Sequence, residues 1–138
     1  MNNDESDIKK MIEAVQKRLA VLQQQIRSAK IPVIVLFEGW GASGKGSIIG
    51  KLISELDPRG FKVYTTGAPS SDELRFPPMR RFWTKIPEYG RMSVFDRSWY
   101  RDVSISAVED GISDNELEQR IGNILNLERQ LTDDGYVL

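Results

Sequence analysis

The run Ile31-Pro32-Val33-Ile34-Val35-Leu36-Phe37, continuing into Glu38-Gly39-Trp40-Gly41-Ala42-Ser43-Gly44-Lys45-Gly46-Ser47, restricts the fold more than any other stretch. A continuous apolar, β-branched run reads as a buried strand, Val33–Phe37. The glycines after it allow a loop whose backbone N–H groups close around an anion. A helical pattern follows at once, so its positive end faces the same point, and Lys45 adds a mobile full charge. The spacing meets G-x-x-x-x-G-K-[ST] at Gly39, Gly44 and Lys45, but Gly46 stands where a hydroxyl is expected and Ser47 comes one residue late. Gly39, Gly41, Gly44, Lys45, Gly46 and Ser47 are therefore the candidate phosphate cradle.

Composition narrows the chemistry. The 138 residues contain neither cysteine nor histidine. That removes disulfides, thiolate metal sites and the commonest general base. Carboxylates, Lys, Arg and a metal ion remain, and phosphoryl transfer needs little more than these. The 40% hydrophobic and 28% charged fractions describe an ordinary globular domain, with no run of membrane-spanning length. The acidic N-terminus is unlike a signal peptide, so a cytoplasmic setting is expected. Net charge is only −1 but unevenly placed: Arg75, Arg80, Arg81, Lys85, Arg91, Arg97 and Arg101 face only Glu88 and Asp96 within residues 75–101. A basic middle in a neutral chain suits a polyanionic ligand.

Periodicity sets out the remaining elements. Residues 6–29 read as one amphipathic helix with a stripe of Ile8, Met11, Ile12, Val15, Leu19, Leu22 and Ile26, expected to pack on the domain. The helix after the glycine loop should bury Ile48, Ile49, Leu52, Ile53 and Leu56. Asp57-Pro58-Arg59-Gly60 is a turn into a second strand, Phe61–Thr65, completing a right-handed βαβ unit. Ser70-x-x-Glu73 has the form of a capping box, interrupted by Pro77-Pro78. A short helix over 78–85, a strand over Met92–Phe95 and a helix capped by Ser113-x-x-Glu116 follow. That last helix should bury Leu117, Ile121, Ile124 and Leu131. Tyr136-Val137-Leu138 looks like the start of a fourth strand. The expected division is an N-terminal helix, 1–30, and a partial domain, 31–138, of a longer protein.

The third strand runs into Phe95-Asp96-Arg97-Ser98-Trp99-Tyr100. Ligands of open α/β sheets bind at the carboxyl ends of strands, so Asp96 should face the glycine loop and offer an oxygen to Mg²⁺. Arg97 beside it can neutralise a transferring phosphate. Trp99 and Tyr100 read as core or pocket wall.

With Phe37-Glu38-Gly39-Trp40, Gly44-Lys45-Gly46, Leu56-Asp57-Pro58-Arg59-Gly60-Phe61, Arg81-Phe82-Trp83, the Asp96 element and Glu128-Arg129-Gln130-Leu131, the chain resembles family-2 polyphosphate kinases from about residue 31 to its end. The resemblance implies an α/β P-loop NTPase fold, a three-layer parallel sheet of thymidylate-kinase-like type, here truncated after the start of the fourth strand. It implies phosphate transfer between inorganic polyphosphate and a nucleoside mono- or diphosphate with Mg²⁺. The partners would be those two substrates, without nucleic acid or membrane, and a homo-oligomer stays open. Lys45, Asp96 and Arg97 would be the catalytic set, with Asp96 the metal ligand. Arg59 and Lys62 would grip the polyphosphate chain, and Arg81 would contact phosphate or form a structural ion pair.

Departures from the family pattern matter equally. Active members usually carry an aspartate where this chain has Gly41. After Tyr100 they commonly read Gly-Arg, where Arg101-Asp102 stands here, and a later Glu-Arg pair is replaced by Ser106-Ala107. The arginine-bearing lid should lie beyond residue 138. These differences fit the N-terminal copy of tandem polyphosphate:AMP phosphotransferases and imply an impaired catalytic centre. Two other readings are an ATP-dependent nucleoside or nucleotide kinase of the same fold, and a non-catalytic polyphosphate-binding or structural domain.

Overall fold

The computed structural model describes residues 2–138. Helix α1 (Asn2–Ala29) leads into strand β1 (Val33–Phe37), the glycine loop and helix α2 (Lys45–Ile53). Strand β2 (Phe61–Thr65), the short helix α3 (Arg80–Trp83), strand β3 (Met92–Asp96) and helices α4 (Arg101–Asp110) and α5 (Asp114–Asp133) follow. The three strands are parallel in the order β1-β3-β2. The expected βαβ unit is thus split: β3 inserts between β1 and β2 and pairs with both. The anticipated fourth strand registers as a parallel bridge of Val137 to Val33 on the free side of β1. Ile34 N–H donates to Val137 O at 2.8 Å and Val137 N–H to Pro32 O at 3.0 Å.

Alternation along the strands decides which side chains share a face. Ile34, Leu36, Tyr64 and Phe95 point to one side, where Phe82 of α3, Trp99 and Ile124, Leu127 and Leu131 of α5 close the main core. Trp99 is fully buried and meets Phe82 and Phe95 edge-on, with ring centroids 5.9 and 5.7 Å away. Val94 and Asp96 point to the opposite side, against which α2 lies with Ile49 buried. The layers are therefore helix, sheet, helix. Register places Phe37 and Thr65 on either side of Asp96, so all three strands end level with one another.

Some expected burial is not realised. On α1, Ile12, Leu19 and Ile26 are partly covered, but Ile8, Met11, Val15 and Leu22 stay exposed. The helix is held largely by amides: Gln23 accepts from Asp57 N–H at 2.7 Å and donates to Asp57 O at 2.9 Å, while Gln16 donates to Lys51 O at 2.9 Å. Ile48 and Ile121 are exposed as well, and Leu127 takes the core position expected of Ile121. Helix α4 is a further element beyond those read from periodicity; it begins directly after the Asp96–Tyr100 turn.

Candidate phosphate-binding site

Helix α2 opens on Gly44, whose φ of 82° is left-handed and accessible to glycine at little cost. No side chain caps this helix, so the first N–H groups of its opening turn face the loop without a side-chain acceptor. Gly39, at φ 149°, makes the other sharp bend; a Cβ there would stand 3.0 Å from Ser43 Oγ. Lys45 is only 8% exposed, because its stem runs under the loop. Its Nζ donates to Gly39 O at 2.8 Å, Trp40 O at 2.7 Å and Ser43 Oγ at 3.3 Å. The ammonium is thus held at the loop's centre by neutral acceptors, and its charge stays uncompensated by any carboxylate among the described residues. Gly41, Gly44, Gly46 and Ser47 are exposed around it.

The second half of the site comes from β3. Arg97 has φ 61°, a left-handed conformation that a side chain rarely adopts and that costs on the order of 1 kcal/mol. Arg97 N–H donates to Phe37 O at 2.9 Å, tying the turn to the end of β1. Two carboxylates hold it from either side. Glu38 accepts from Ser98 N–H at 2.8 Å and from the Ser98 hydroxyl. Glu128 of α5 accepts from Trp99 Nε1 at 3.0 Å and from the Tyr100 hydroxyl at 2.6 Å. Burial, then the Glu128 bond, push the Tyr100 hydroxyl up to about 12. The strained turn persists because these contacts over-determine it.

What results is a convergence of positive groups. The Arg97 guanidinium reaches the loop: its Nη2 lies 3.7 Å from where a Cβ on Gly41 would stand. Asp96 is on the same face as α2, and its carboxylate makes no hydrogen bond or ion pair among the described residues. Helix end, ammonium and guanidinium surround one point at the carboxyl end of the sheet, which is how an oligophosphate is gripped.

Comparison with known proteins places the chain in a family. Residues 2–138 match the model of the family described as polyphosphate kinase 2. The chain belongs to the polyphosphate kinase 2 family. A polyphosphate:AMP phosphotransferase of Pseudomonas syringae is 36% identical over 125 residues, which cover 91% of this chain and 25% of that protein. An ADP-polyphosphate phosphotransferase 2 of Rhizobium meliloti is 33% identical over 125 residues, 91% of this chain and 41% of the relative. The crystal structure of a polyphosphate kinase 2 from Arthrobacter aurescens superposes with a TM-score of 0.90 at 29% identity, over 95% of this chain and 48% of that one. The chain therefore spans from a quarter to about half the length of these members of the polyphosphate kinase 2 family.

Not every residue singled out in the sequence reaches the loop. Arg59 precedes β2, at the amino end of the sheet, and binds Asp57 through Nε and Nη2 at 3.1 and 2.8 Å. The Arg59 hydrogen bonds hold the Asp57 carboxyl down at about 2. Lys62 pairs in register with Ser93, three positions before Asp96, roughly 10 Å back along the strand. Arg81 is nearly buried and spends its terminal nitrogens on Glu73 Oε2 at 3.2 Å and Gly67 O at 2.7 Å, which is the structural ion pair. Glu38 and Glu128 gain positioning roles that the motifs alone did not assign. Glu128 could have been found: it lies four residues after Ile124 and three before Leu131, on the buried stripe of α5, where a carboxylate needs partners.

Proposed function

We propose that this chain is the phosphate-handling part of a polyphosphate–nucleotide phosphotransferase, and that it binds inorganic polyphosphate across the glycine loop. The observation that carries the reading is the Arg97–Phe37 tie, which brings a guanidinium to Gly41 opposite the uncapped start of α2 and Lys45. Relatives named for AMP, ADP and other nucleoside diphosphates support a nucleotide as the second substrate. In this reading Lys45 and the loop N–H groups hold the phosphates beside the transfer point. Arg97 neutralises charge gathering on the transferring group.

Asp96 is the residue that would hold Mg²⁺. Its unengaged carboxylate on the loop face fits that ion, which accepts one carboxylate together with phosphate oxygens and water. When bound, the ion would supply positive charge that screens the phosphates. Among the described residues no three acidic side chains cluster as a metal cage, and Gly41 and Gly46 add no ligand. The reading that follows is strong polyphosphate binding with low turnover. Phosphorus NMR of the chain with polyphosphate, Mg²⁺ and AMP or ADP tests it. Line broadening of polyphosphate with little nucleotide product supports the proposal, and polyphosphate signals unchanged by saturating protein would remove it.

A further inference from the structure

Helix α1 carries two apolar rows, each with its members seven residues apart. Ile12, Leu19 and Ile26 form the inner row, partly covered by the rest of the chain. They alternate with Gln16 and Gln23, whose amides bind Lys51 O and the Asp57 backbone. Ile8, Val15 and Leu22 form the outer row and stay 56%, 57% and 40% exposed, with Met11 between the first two. The rows are four residues out of step, so the outer one sits beside the inner on the helix surface. Next to them α2 offers Ile48, itself exposed, and Leu52. The two helices thus border an apolar groove of about 460 Å³, in which Gln16 and Lys51 are the polar members.

Single exposed apolar side chains are ordinary, but a contiguous row of them beside a groove marks a contact surface. Seven-residue spacing is the repeat that keeps one helix against another over several turns, so the groove fits a helix. The charges of α1 choose which helix. Residues 4–13 hold Asp4, Glu5, Asp7 and Glu13 against Lys9 and Lys10, a net −2. Residues 14–30 hold Lys17, Arg18, Arg27 and Lys30 with no acid, a net +4. Two copies of α1 side by side in opposite directions therefore set acidic half against basic half, and their helix dipoles oppose as well. The same direction would set like against like. The outer row is symmetric in the same sense, because Ile8 and Leu22 each lie seven residues from Val15.

We infer that α1 pairs antiparallel with the α1 of a second copy of this chain, about a two-fold axis at Val15. Ile8 of each copy then faces Leu22 of the other, and each α1 lies along the α1–α2 groove of the other, an isologous contact. A helix of 28 residues is about 42 Å long, and a strip of it roughly 10 Å wide is about 400 Å² per copy. That is small for a specific interface, so the pairing is weak and reversible.

Sedimentation equilibrium of the whole chain from about 1 to 500 µM tests it, with a monomer–dimer equilibrium of roughly 10–100 µM expected for so small a contact. Val15→Lys sets two like charges together at the axis on an exposed helical position, and should weaken the dimer at least tenfold with unchanged helicity by circular dichroism. Val108→Lys, on the exposed face of α4, should leave the dimer within twofold. The chain has no cysteine, so introduced thiols report direction. A mixture of Ile8→Cys and Leu22→Cys should oxidise to the mixed disulfide in at least tenfold excess over the two symmetrical ones, since only close side chains can be bridged. A monomer throughout the range would leave the groove to a different occupant and overturn the inference. A dimer indifferent to Val15→Lys, or symmetrical disulfides in excess, would overturn it equally.

Discussion

Gly41→Asp places a carboxylate between the two halves of the phosphate site. A Cβ at Gly41 meets only Arg97 Nη2 within 4 Å, at 3.7 Å, and the residue's φ is not left-handed, so aspartate enters without a clash. Its carboxylate oxygens can reach ion-pair distance of the Arg97 guanidinium. Because the loop is exposed, that pair contributes about 0.3–1 kcal/mol rather than the several that a dry site would give. Losing a loop glycine adds about 0.4–1 kcal/mol through the unfolded chain. Together these should raise the melting temperature by roughly 2–7 °C in a domain of this size. A divalent ion about 4 Å from the new carboxylate gains about 2 kcal/mol even at the dielectric of water. Roughly 1 kcal/mol of that is spent in separating the carboxylate from Arg97, leaving about fivefold tighter Mg²⁺. Melting curves with and without Mg²⁺, and a direct Mg²⁺ titration, measure both quantities. A variant no more stable than the parent, with Mg²⁺ affinity unchanged, would refute the placement of Arg97 and Asp96 around this loop.

Three further outcomes follow from the turn and its supports. Arg97→Gly should be more stable than Arg97→Ala by about 1 kcal/mol in denaturant unfolding, since only glycine adopts φ 61° freely, while both bind polyphosphate less well. Equal stabilities would mean that the turn is unstrained. Glu128→Gln should bring the Tyr100 hydroxyl from about 12 part of the way back toward 10, because burial, the larger cause, remains. The stabilisation tied to that raised value is complete below pH 10 and fades as pH climbs through 12, so alkaline melts of parent and variant should converge there. At the other end of the sheet, the depressed Asp57 carboxyl contributes stability above pH 3.8 that is lost as pH falls through about 2. Asp57→Asn should therefore lower the melting temperature at pH 7 and not at pH 2; an equal difference at both would assign the effect to something other than the Arg59 pair.

Much of the site was legible because its parts are local in sequence. Strand, glycines, Lys45 and helix are contiguous, and Asp96-Arg97 follows a strand of clear character, so backbone geometry alone delivers both to one end of the sheet. What could not be read is what depends on distant partners. Nothing near Arg81 announces Glu73 and Gly67 as its acceptors, and nothing near Glu128 announces Trp99 and Tyr100. Strand order is also non-local: that β3 lies between β1 and β2 follows from long-range pairing, and it is this order that puts Asp96 beside Phe37. Helix α4 escaped notice because Arg101–Asp110 mixes charged and small residues without a strong apolar stripe. The α1 stripe was informative only in part: Ile12, Leu19 and Ile26 are partly covered while Met11 and Val15 stay exposed, and the Gln16 and Gln23 hydrogen bonds are announced by no stripe.

The central claim is that the glycine loop grips polyphosphate through Lys45. Calorimetric titration of polyphosphate into the chain and into Lys45→Ala, repeated at several salt concentrations, tests it most directly. Removing one charge-assisted contact of about 1.5–3 kcal/mol should weaken binding roughly 10- to 100-fold and flatten its salt dependence. Equal affinity and equal salt dependence in the two proteins would contradict the account.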